Sequence, residues 1–591
     1  MLDLLARLWK HISRKRRIQL GVLFCVMLAA SFAELFSIGM VIPFLGGLTT
    51  PELIYEHRFV KPLVVFFGLK NPQDLLLPTT LIFVSAVILA AIIRFSLVWL
   101  QTRVSLGIVT EMAVETYWKT LHQPYAVHIS RNSSEIISSI LTKVNGGIGA
   151  TIGPLLLVIS SALITATVLA ALILFDPVIA LSSFLGFGTI YAIIVFFTKK
   201  QLARDSLRIS QASNEVVKVL QEGLGGIRDV LLDGTQSTYS STYRNADVGL
   251  RKAQASIQII SSAPKFAIEA LGIVVIAVIA YWLSTKPGGF VTVIPILGAL
   301  AIGAQKLLPV LQQAYSSWAL IQGARESLRD VLDLLDQPLP ETSAGSQPRS
   351  EIAYTREIRL EHIAFRYTPQ SPYVLRDICL SLPKGGRIGF VGTTGSGKST
   401  LLDILMGLLQ PTEGNLVIDE VALTPANRRA WQAHIAHVPQ AIFLSDATIA
   451  ENIAFGLPRD EVDLERVKTA ARQAQISEAI ESWSEQYDTL VGERGVKLSG
   501  GQRQRIGIAR ALYKQADVII FDEATSALDN ETEQAVMQAI DGLGDHLTIL
   551  IVAHRLTTLR NCSQIVELQN GELKRVGSYA DIVEKAGQLG A

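Results

Sequence analysis

The stretch GFVGTTGSGKST, Gly389–Thr400, decides how the second half of this chain folds. Within it, Gly392–Ser399 reads GTTGSGKS and matches the pattern GxxxxGK[ST]. The apolar segment RIGFV precedes the pattern and a helical segment, STLLDILMGLL, follows it. Glycines at such a turn let backbone N–H groups point at phosphates, and the helix N-terminus adds partial positive charge. The stretch therefore predicts a phosphate-binding loop in an α/β domain.

A second motif supplies acids for the same chemistry. Val518–Glu523 reads VIIFDE, an apolar strand that ends in two carboxylates. We expect Asp522 to hold Mg²⁺ together with Ser399, and Glu523 to polarise the attacking water, while Lys398 reaches the β- and γ-phosphates of ATP. The alternative, that two acids simply end a strand, stays open at this point. The other loop residues expected to bind the nucleotide are Gly392, Thr393, Thr394, Gly395, Ser396, Gly397 and Thr400.

The segment LSGGQ, Leu498–Gln502, resembles the signature of ABC transporters, and the resemblance extends over nearly the whole chain. It implies that Tyr367 stacks on adenine, that Gln440 senses magnesium and water, and that His554 is the switch histidine. The catalytic residues implied are then Glu523, His554 and Gln440, with Gln440 also near the metal. The further nucleotide-binding residues implied are Leu498, Ser499, Gly500, Gly501, Gln502 and Asp529.

The resemblance also implies a pair of nucleotide domains. In the family, the signature segment of one subunit binds the nucleotide held by the other. Because this chain carries every motif intact, a homodimer with twofold symmetry is the simplest assembly. A heterodimer with a degenerate partner stays open.

The first half of the chain is apolar. Of 591 residues, 49% are hydrophobic and 18% charged, and the charge is sparse in the first half. About 20 apolar residues cross a bilayer, and six segments qualify. They are 18–45, 77–100, 148–175, 178–197, 266–283 and 290–308.

The connections set the orientation and the domain limits. The long connections 101–145 and 198–265, like the N-terminus, are rich in Lys and Arg, which predicts that they and both termini are cytosolic. A Pro-, Gly- and Ser-containing stretch indicates a linker. We therefore predict a transmembrane domain at 1–336, a linker at 337–350 and a nucleotide-binding domain at 351–591. The fold class is an α-helical transmembrane bundle with long cytosolic extensions, fused to an α/β P-loop ATPase domain.

Charge excludes one class of partner. The net charge is +1 and the basic residues form no long stripe, so nucleic acid is not expected as a partner. The three cysteines show neither disulfide nor metal-ligand spacing.

Charged residues inside the apolar segments bear on the cargo. Arg94, Glu269 and Lys306 are expected in one layer near the inner boundary of the membrane, where Arg94 and Glu269 come within pairing range, whereas Glu34 lies further out. An excess of positive charge there favours an anionic lipid headgroup. The alternative is that these residues lie in cytosolic helix extensions.

The overall prediction is an ATP-driven exporter or flippase in a bacterial inner membrane that moves a lipid-linked or amphipathic cargo outward. Within the family, the first-span stretch SFAELFSIGMVIPFL is similar to exporters of lipid-linked oligosaccharides or envelope glycolipids. A multidrug or peptide exporter, and an ATP-gated channel or membrane regulator, are the alternatives. Two cytosolic stretches, 122–130 and 220–234, resemble the segments that couple the two domains.

Overall fold

The computed structural model describes residues 1–40, 44, 55, 71–175, 177–284, 308–339, 352–523, 530–542, 547–552 and 556–584. The chain divides into two compact units. The first unit contains 1–122 and 131–338, and the second contains 123–130 and 339–591. The segment 123–130, which contains the short helix Tyr125–Ser130, thus groups with the second unit, although it lies in the first half of the sequence.

Helices form the first half of the chain. A π-helix at Ser139–Gly149 and a 3₁₀ turn at Pro72–Leu75 accompany them. In chain order the α-helices are α1 (Leu2–His11), α2 (Arg14–Gly39), α3 (Leu76–Leu121), α4 (Tyr125–Ser130), α5 (Ser133–Ser138), α6 (Ala150–Phe175), α7 (Pro177–Gly225), α8 (Ile227–Leu232), α9 (Gln236–Ser262), α10 (Pro264–Ser284), α11 (308–323) and α12 (Arg325–Leu335).

Among the described residues, four helical stretches are long and apolar enough to cross a membrane: Arg14–Ser37, Leu76–Leu121, Ser133–Ala170 and Gln236–Val274. They overlap the predicted spans 18–45, 77–100, 148–175 and 266–283. The predicted span 178–197 lies within α7. The span predicted at 290–308 falls almost wholly outside the described residues.

The helices continue well beyond the apolar segments. The helix α3 has 46 residues and α7 has 49, so each is roughly 70 Å long, more than twice the thickness of the hydrocarbon core. In α7 the sequence changes from apolar to charged near Thr198 while the backbone stays helical. The long connections predicted between spans are therefore largely helical extensions.

Several of these helices pack around a common core. Buried residues of α1, α2, α3, α6 and α12 form a common hydrophobic cluster with Val144 and Ile148 of the π-helix. A Cβ at Gly147 would lie 2.6 Å from the backbone nitrogen of Leu328, so glycine permits this close helix contact. Nearby, Lys143 is 2% exposed and its Nζ lies 2.6 Å from the Asp330 carboxylate. Lys143 belongs to a connection read as cytosolic, yet the fold buries it in an ion pair.

The second unit contains two sheets. Its strands are β1 (Glu357–Phe365), β2 (Leu375–Pro383), β3 (Arg387–Val391), β4 (Glu413–Ile418), β5 (Val421–Ala422), β6 (Ile435–Val438), β7 (Val518–Asp522), β8 (Thr548–Val552), β9 (Gln564–Gln569) and β10 (Glu572–Gly577). Its described α-helices after residue 352 are α13 (Lys398–Leu405), α14 (Arg428–Ala433), α15 (Ile449–Ile453), α16 (Leu464–Gln473), α17 (Ser477–Glu481), α18 (Gly500–Tyr513) and α19 (Asn530–Asp541).

The larger sheet has the order β10-β9-β3-β8-β7-β6, with β6, β7, β8, β3 and β9 parallel and β10 antiparallel. The smaller sheet is antiparallel in the order β2-β1-β4-β5. The parallel strands are almost fully buried, as expected for a sheet covered on both faces. The carboxyl ends of β3, β7 and β6 meet at one edge, where ligands bind in open α/β sheets.

Candidate ATP-hydrolysis site

The phosphate loop follows β3 and curls back over the neighbouring backbone. A Cβ at Gly392, where φ is +151°, would lie 2.3 Å from the Leu568 carbonyl oxygen and 2.7 Å from Ser396 Oγ. Gly395 and Gly397 also have left-handed backbone, with φ of +81° and +100°. The helix α13 begins directly after this turn, at Lys398. The glycines thus form the tight turn that the sequence predicts, and this turn ends at a helix N-terminus.

Two side chains show that this turn suits an anion. Ser396 is 2% exposed, and its Oγ has no hydrogen-bond partner among the described residues. Lys398 Nζ donates to the carbonyl oxygens of Gly392 and Thr393, at 2.8 and 3.0 Å. The ammonium group therefore folds over the loop, and Ser399 is exposed beside it. Phosphate oxygens are the acceptors that such donors require.

The acids predicted from VIIFDE lie at the end of β7. Gln440 Nε2 donates to Glu523 Oε2 at 2.6 Å, although the two residues are 83 positions apart. The pairing of β6 with β7 places Val438 beside Phe521 and so brings the following residues together. Burial raises the pKa of Asp522, as does the charge of Glu523, while Lys398 lowers it. Lys398, Asp522, Glu523 and Gln440 therefore surround one site.

The predicted adenine-stacking residue lies beside the same loop. Tyr367 is 48% exposed, and its hydroxyl and that of Thr400 on α13 are 3.1 Å apart. Its ring meets Phe365 edge-on, with 5.0 Å between centroids. One face of the Tyr367 ring is thus available to stack on a planar ligand next to the loop.

The signature segment forms a separate helix start. Ser499 caps α18: its hydroxyl accepts from the backbone N–H of Gln502, whose side-chain oxygen accepts from the N–H of Ser499. Ser499 and Gly500 are exposed, and Gly501 and Gln502 are half-buried. Leu498 is 8% exposed and anchors the segment in the core. The helix thus presents its N-terminal end to solvent.

One acid at the site was missed in the sequence. Burial raises the pKa of Asp403 on α13 to about 6, and the charge of Asp522 contributes in the same direction. Burial likewise raises the pKa of Tyr125 on α4, with a contribution from Asp403. Asp403 is therefore electrostatically linked both to the acid at the end of β7 and to the short helix α4. An acid within the apolar run LLDIL was the available signal.

Asp403→Asn is expected to stabilise the nucleotide-free protein more at pH 7.5 than at pH 5. A carboxyl whose pKa is raised destabilises the fold progressively as pH rises from the unfolded pKa near 4 to the folded value of about 6. Above that range the ionised form carries the full cost, about 2.7 kcal/mol for two pKa units, which solvent screening of this half-buried carboxyl lowers to roughly 2 kcal/mol. Thermal unfolding of the full chain in detergent measures the effect. An equal change in Tm at both pH values would contradict it.

Several predicted site residues lie outside the described residues or apart from this site. His554, Asp529 and Lys306 fall among the undescribed positions. Arg94 on α3 and Glu269 on α10 are exposed, and Glu34 on α2 is half-buried. Within the described part of the chain no ion pair joins Arg94 to Glu269. The reason is that α10 packs against α7 and α9, whereas α3 packs against α2, α6, α12 and the π-helix.

Comparison with known proteins agrees with the geometry. The family profile described as the ABC transporter matches residues 375–526, and the profile of the ABC transporter transmembrane region matches 18–288. A protein of Chromohalobacter salexigens named ATP-dependent lipid A-core flippase is 31% identical over 534 residues, 89% of this chain and 90% of the relative. One of Ralstonia nicotianae with the same name is 30% identical over 519 residues, 85% of each chain.

A solved structure supports the fold. It is described as a bacterial Atm1-family ABC exporter with ATP bound, and it superposes with a TM-score of 0.76 at 22% identity, covering 97% of this chain and 96% of its own. The fold and the site define a P-loop ATPase fused to a membrane-spanning helical domain. The chain belongs to the ABC transporter family. It hydrolyses ATP and couples this reaction to transport.

Proposed function

We propose that this protein is a lipid flippase that uses ATP to move an anionic glycolipid of the lipid A-core class from the inner to the outer leaflet of a bacterial inner membrane. Relatives that carry this name match the chain at about 30% identity over most of its length. The structural observation that carries the proposal is the hydrogen bond from Gln440 to Glu523 beside the phosphate loop. This bond supports the proposal because it holds a carboxylate at the end of β7 in a chain that also contains long apolar helices.

In the proposed hydrolytic step, side chains of the phosphate loop and of the segments after β6 and β7 act on ATP. Lys398 and the loop N–H groups hold the phosphates, and Tyr367 stacks on the adenine. Glu523 accepts a hydrogen bond from the attacking water and polarises it, while the Gln440 amide orients the carboxylate. His554 is proposed to contact the γ-phosphate, and Asp529 to lie where the two subunits meet. The free energy of this step drives the membrane domain.

Magnesium is proposed to bind through Ser399, Gln440 and Asp522. The donor set fits, since hydroxyl, amide and carboxylate oxygens are the ligands that Mg²⁺ accepts. The raised pKa of Asp522, caused by burial and by the charge of Glu523, reflects two adjoining acids that a cation would stabilise. When bound, the ion neutralises charge on the phosphates.

The active assembly is proposed to be a homodimer. Ser499 and the N-terminal end of α18 are exposed, and they form an anion site for a nucleotide held by the partner. A second exposed surface also suits contact with another protein surface. It consists of five apolar side chains on and next to α8 that are 43–81% exposed in a charged, extramembrane part of the chain. They are Leu220, Leu224, Ile227, Leu231 and Leu232. These residues lie in the second of the two predicted coupling segments, and we assign them to the nucleotide domain of the partner.

Six spans per chain, with the nucleotide domain and both termini in the cytosol, complete the proposed topology. We retain the domain limits 1–336, 337–350 and 351–591. The short helix α4 groups with the nucleotide-binding unit, which suits a coupling segment. ATP-driven closure of the two nucleotide domains would then reach the spans through the coupling segments.

Cargo recognition is proposed to involve Arg94, with Glu269, Lys306 and Glu34 in the same pathway. Arg94 is exposed on α3 and lies within the apolar part of that helix. A guanidinium there suits the phosphate of a lipid headgroup.

The test uses full-length protein in liposomes with lipid A-core glycolipid. We expect the glycolipid to stimulate ATP hydrolysis and to change leaflet only with ATP. Arg94→Ala should reduce stimulated transport about tenfold while basal hydrolysis stays within about twofold. Arg103→Ala, about two and a half turns further along the same helix, is the matched control. Stimulation by drugs or peptides but not by the glycolipid would indicate another exporter. ATP-dependent ion conductance without lipid movement would indicate a channel.

A further inference from the structure

A group of metal-ligating side chains lies outside the ATP site, on the antiparallel sheet. His362 of β1 and Asp377 and Cys379 of β2 offer one ligand atom each, and these atoms all lie within 4.8 Å of one another. All three residues are exposed. Sequence spacing gives no sign of the group, because His362 is 15 and 17 positions from the other two.

Two β-bulges bring the group together. Between the pairs Leu360↔Leu380 and Ile363↔Ile378, β1 contains one residue more than β2, and between Ile363 and Phe365 the excess is on β2. His362 and Asp377 lie at these bulges with φ of +50° and +47°. A non-glycine residue in this region costs about 1 kcal/mol or more. Two such residues on facing strands place the imidazole and the carboxylate in direct contact.

The distances are close to those of a zinc site. Zn–N and Zn–S bonds of about 2.1 and 2.3 Å at tetrahedral angles separate nitrogen and sulfur by about 3.6 Å. Here His362 Nδ1 and Cys379 Sγ are 3.5 Å apart. His362 Nδ1 and Asp377 Oδ1 are 2.6 Å apart, so the carboxylate must retreat by less than about 1 Å. Its side chain is 77% exposed and has room to do so.

The sulfur also has a hydrogen-bond donor beside it. The backbone N–H of His362 donates to Cys379 Sγ at 3.4 Å. A metal-bound thiolate can accept this bond, and the thiolate is the form that ligates metals. The same bulge therefore positions both the imidazole and the N–H that faces the sulfur.

We propose that His362, Asp377 and Cys379 bind one Zn²⁺ ion per chain, with water in the fourth position. On binding, the thiol proton passes to solvent, and the neutral imidazole ligates through Nδ1 with its single proton on Nε2. No redox change occurs. Zn²⁺ with one thiolate, one carboxylate and a neutral imidazole makes an uncharged site. The ion would link β1 to β2 a few residues before Tyr367, and it is independent of the cargo.

The test is a Co²⁺ titration of the metal-free full chain in detergent, without nucleotide or Mg²⁺. We expect a thiolate-to-cobalt charge-transfer band and intense visible bands of tetrahedral Co²⁺, saturating at one ion per chain and abolished by Zn²⁺. Cys379→Ser should remove the charge-transfer band. His362→Gln should weaken Zn²⁺ affinity at least tenfold, and Asp377→Asn about tenfold.

Cys25→Ser is the matched control, since Cys25 is also exposed but lies on α2. The charge-transfer band should persist in this variant. Basal ATP hydrolysis retained by Cys379→Ser would show that the variant is folded. A wild-type protein without the charge-transfer band, or a band that survives Cys379→Ser, would overturn the proposal.

Discussion

Glu523→Gln is expected to reduce ATP turnover by about 100- to 1000-fold while leaving ATP binding nearly unchanged. The substitution keeps the shape and the position of the side chain, and an amide oxygen still accepts the hydrogen bond from Gln440. It removes the negative charge that polarises the attacking water. The backbone at this position is left-handed, with φ of +52°. Glutamate and glutamine are equally strained in this conformation, so the substitution does not change the backbone strain. The change therefore isolates the chemical step.

The measurement is ATP hydrolysis by the full chain in lipid nanodiscs, together with nucleotide binding followed by fluorescence. Glu478→Gln, on the exposed surface of α17, is the matched control and should hydrolyse ATP at the wild-type rate. Turnover by Glu523→Gln within about threefold of wild type would exclude Glu523 as the group that activates water.

Gly392→Ala is expected to weaken ATP binding at least about 100-fold, with hydrolysis lost in proportion. The new Cβ would come 2.3 Å from the carbonyl oxygen of Leu568, a backbone atom that cannot swing aside. It would also lie 2.7 Å from Ser396 Oγ, which is the buried hydroxyl of the loop. Relief of both contacts requires the loop to open, and the N–H groups that bind phosphate then no longer converge.

Gly456→Ala separates crowding from backbone strain. Gly456 has φ of +89° and open space around its Cβ position, and it lies outside the loop. This variant should lose about 1 kcal/mol of folding stability and keep its ATP affinity. Equal affinities for Gly392→Ala and wild type, measured by the same nucleotide titration, would contradict the structure of the loop.

Sequence alone was most informative where a short motif contains both the backbone turn and the reactive side chains. The turn at Gly392–Ser399 and the acids at the end of β7 are local patterns, and a strand and a helix flank the turn as expected. The family resemblance to ABC transporters is confirmed by the profile matches and relatives. The resemblance also suggested a role for Gln440, but only the pairing of β6 with β7 shows how it reaches Glu523.

Features that depend on long-range packing were not predictable. Asp403 becomes part of the site because its carboxyl on α13 comes within electrostatic range of Asp522 at the end of β7, and a single acid in an apolar helix does not reveal its neighbours. The π-helix at Ser139–Gly149 overlaps the first residues of the predicted span 148–175. Hydropathy could not predict it, because hydropathy does not distinguish π-helical from α-helical hydrogen bonding. The bulges that bring His362 close to Cys379 likewise depend on the register between β1 and β2, and no periodic pattern in the sequence indicates them.

In the proposed homodimer, each ATP is held by Lys398 of one chain and by Ser499 of the partner subunit. Mixed dimers of a Lys398→Ala chain and a Ser499→Arg chain test it most directly, since each variant alone lacks both functional sites. In the mixed dimer one site has both defects and the other has none, so we predict about half of the wild-type ATP hydrolysis. Mixed dimers that hydrolyse ATP no faster than the two parent variants would contradict the account.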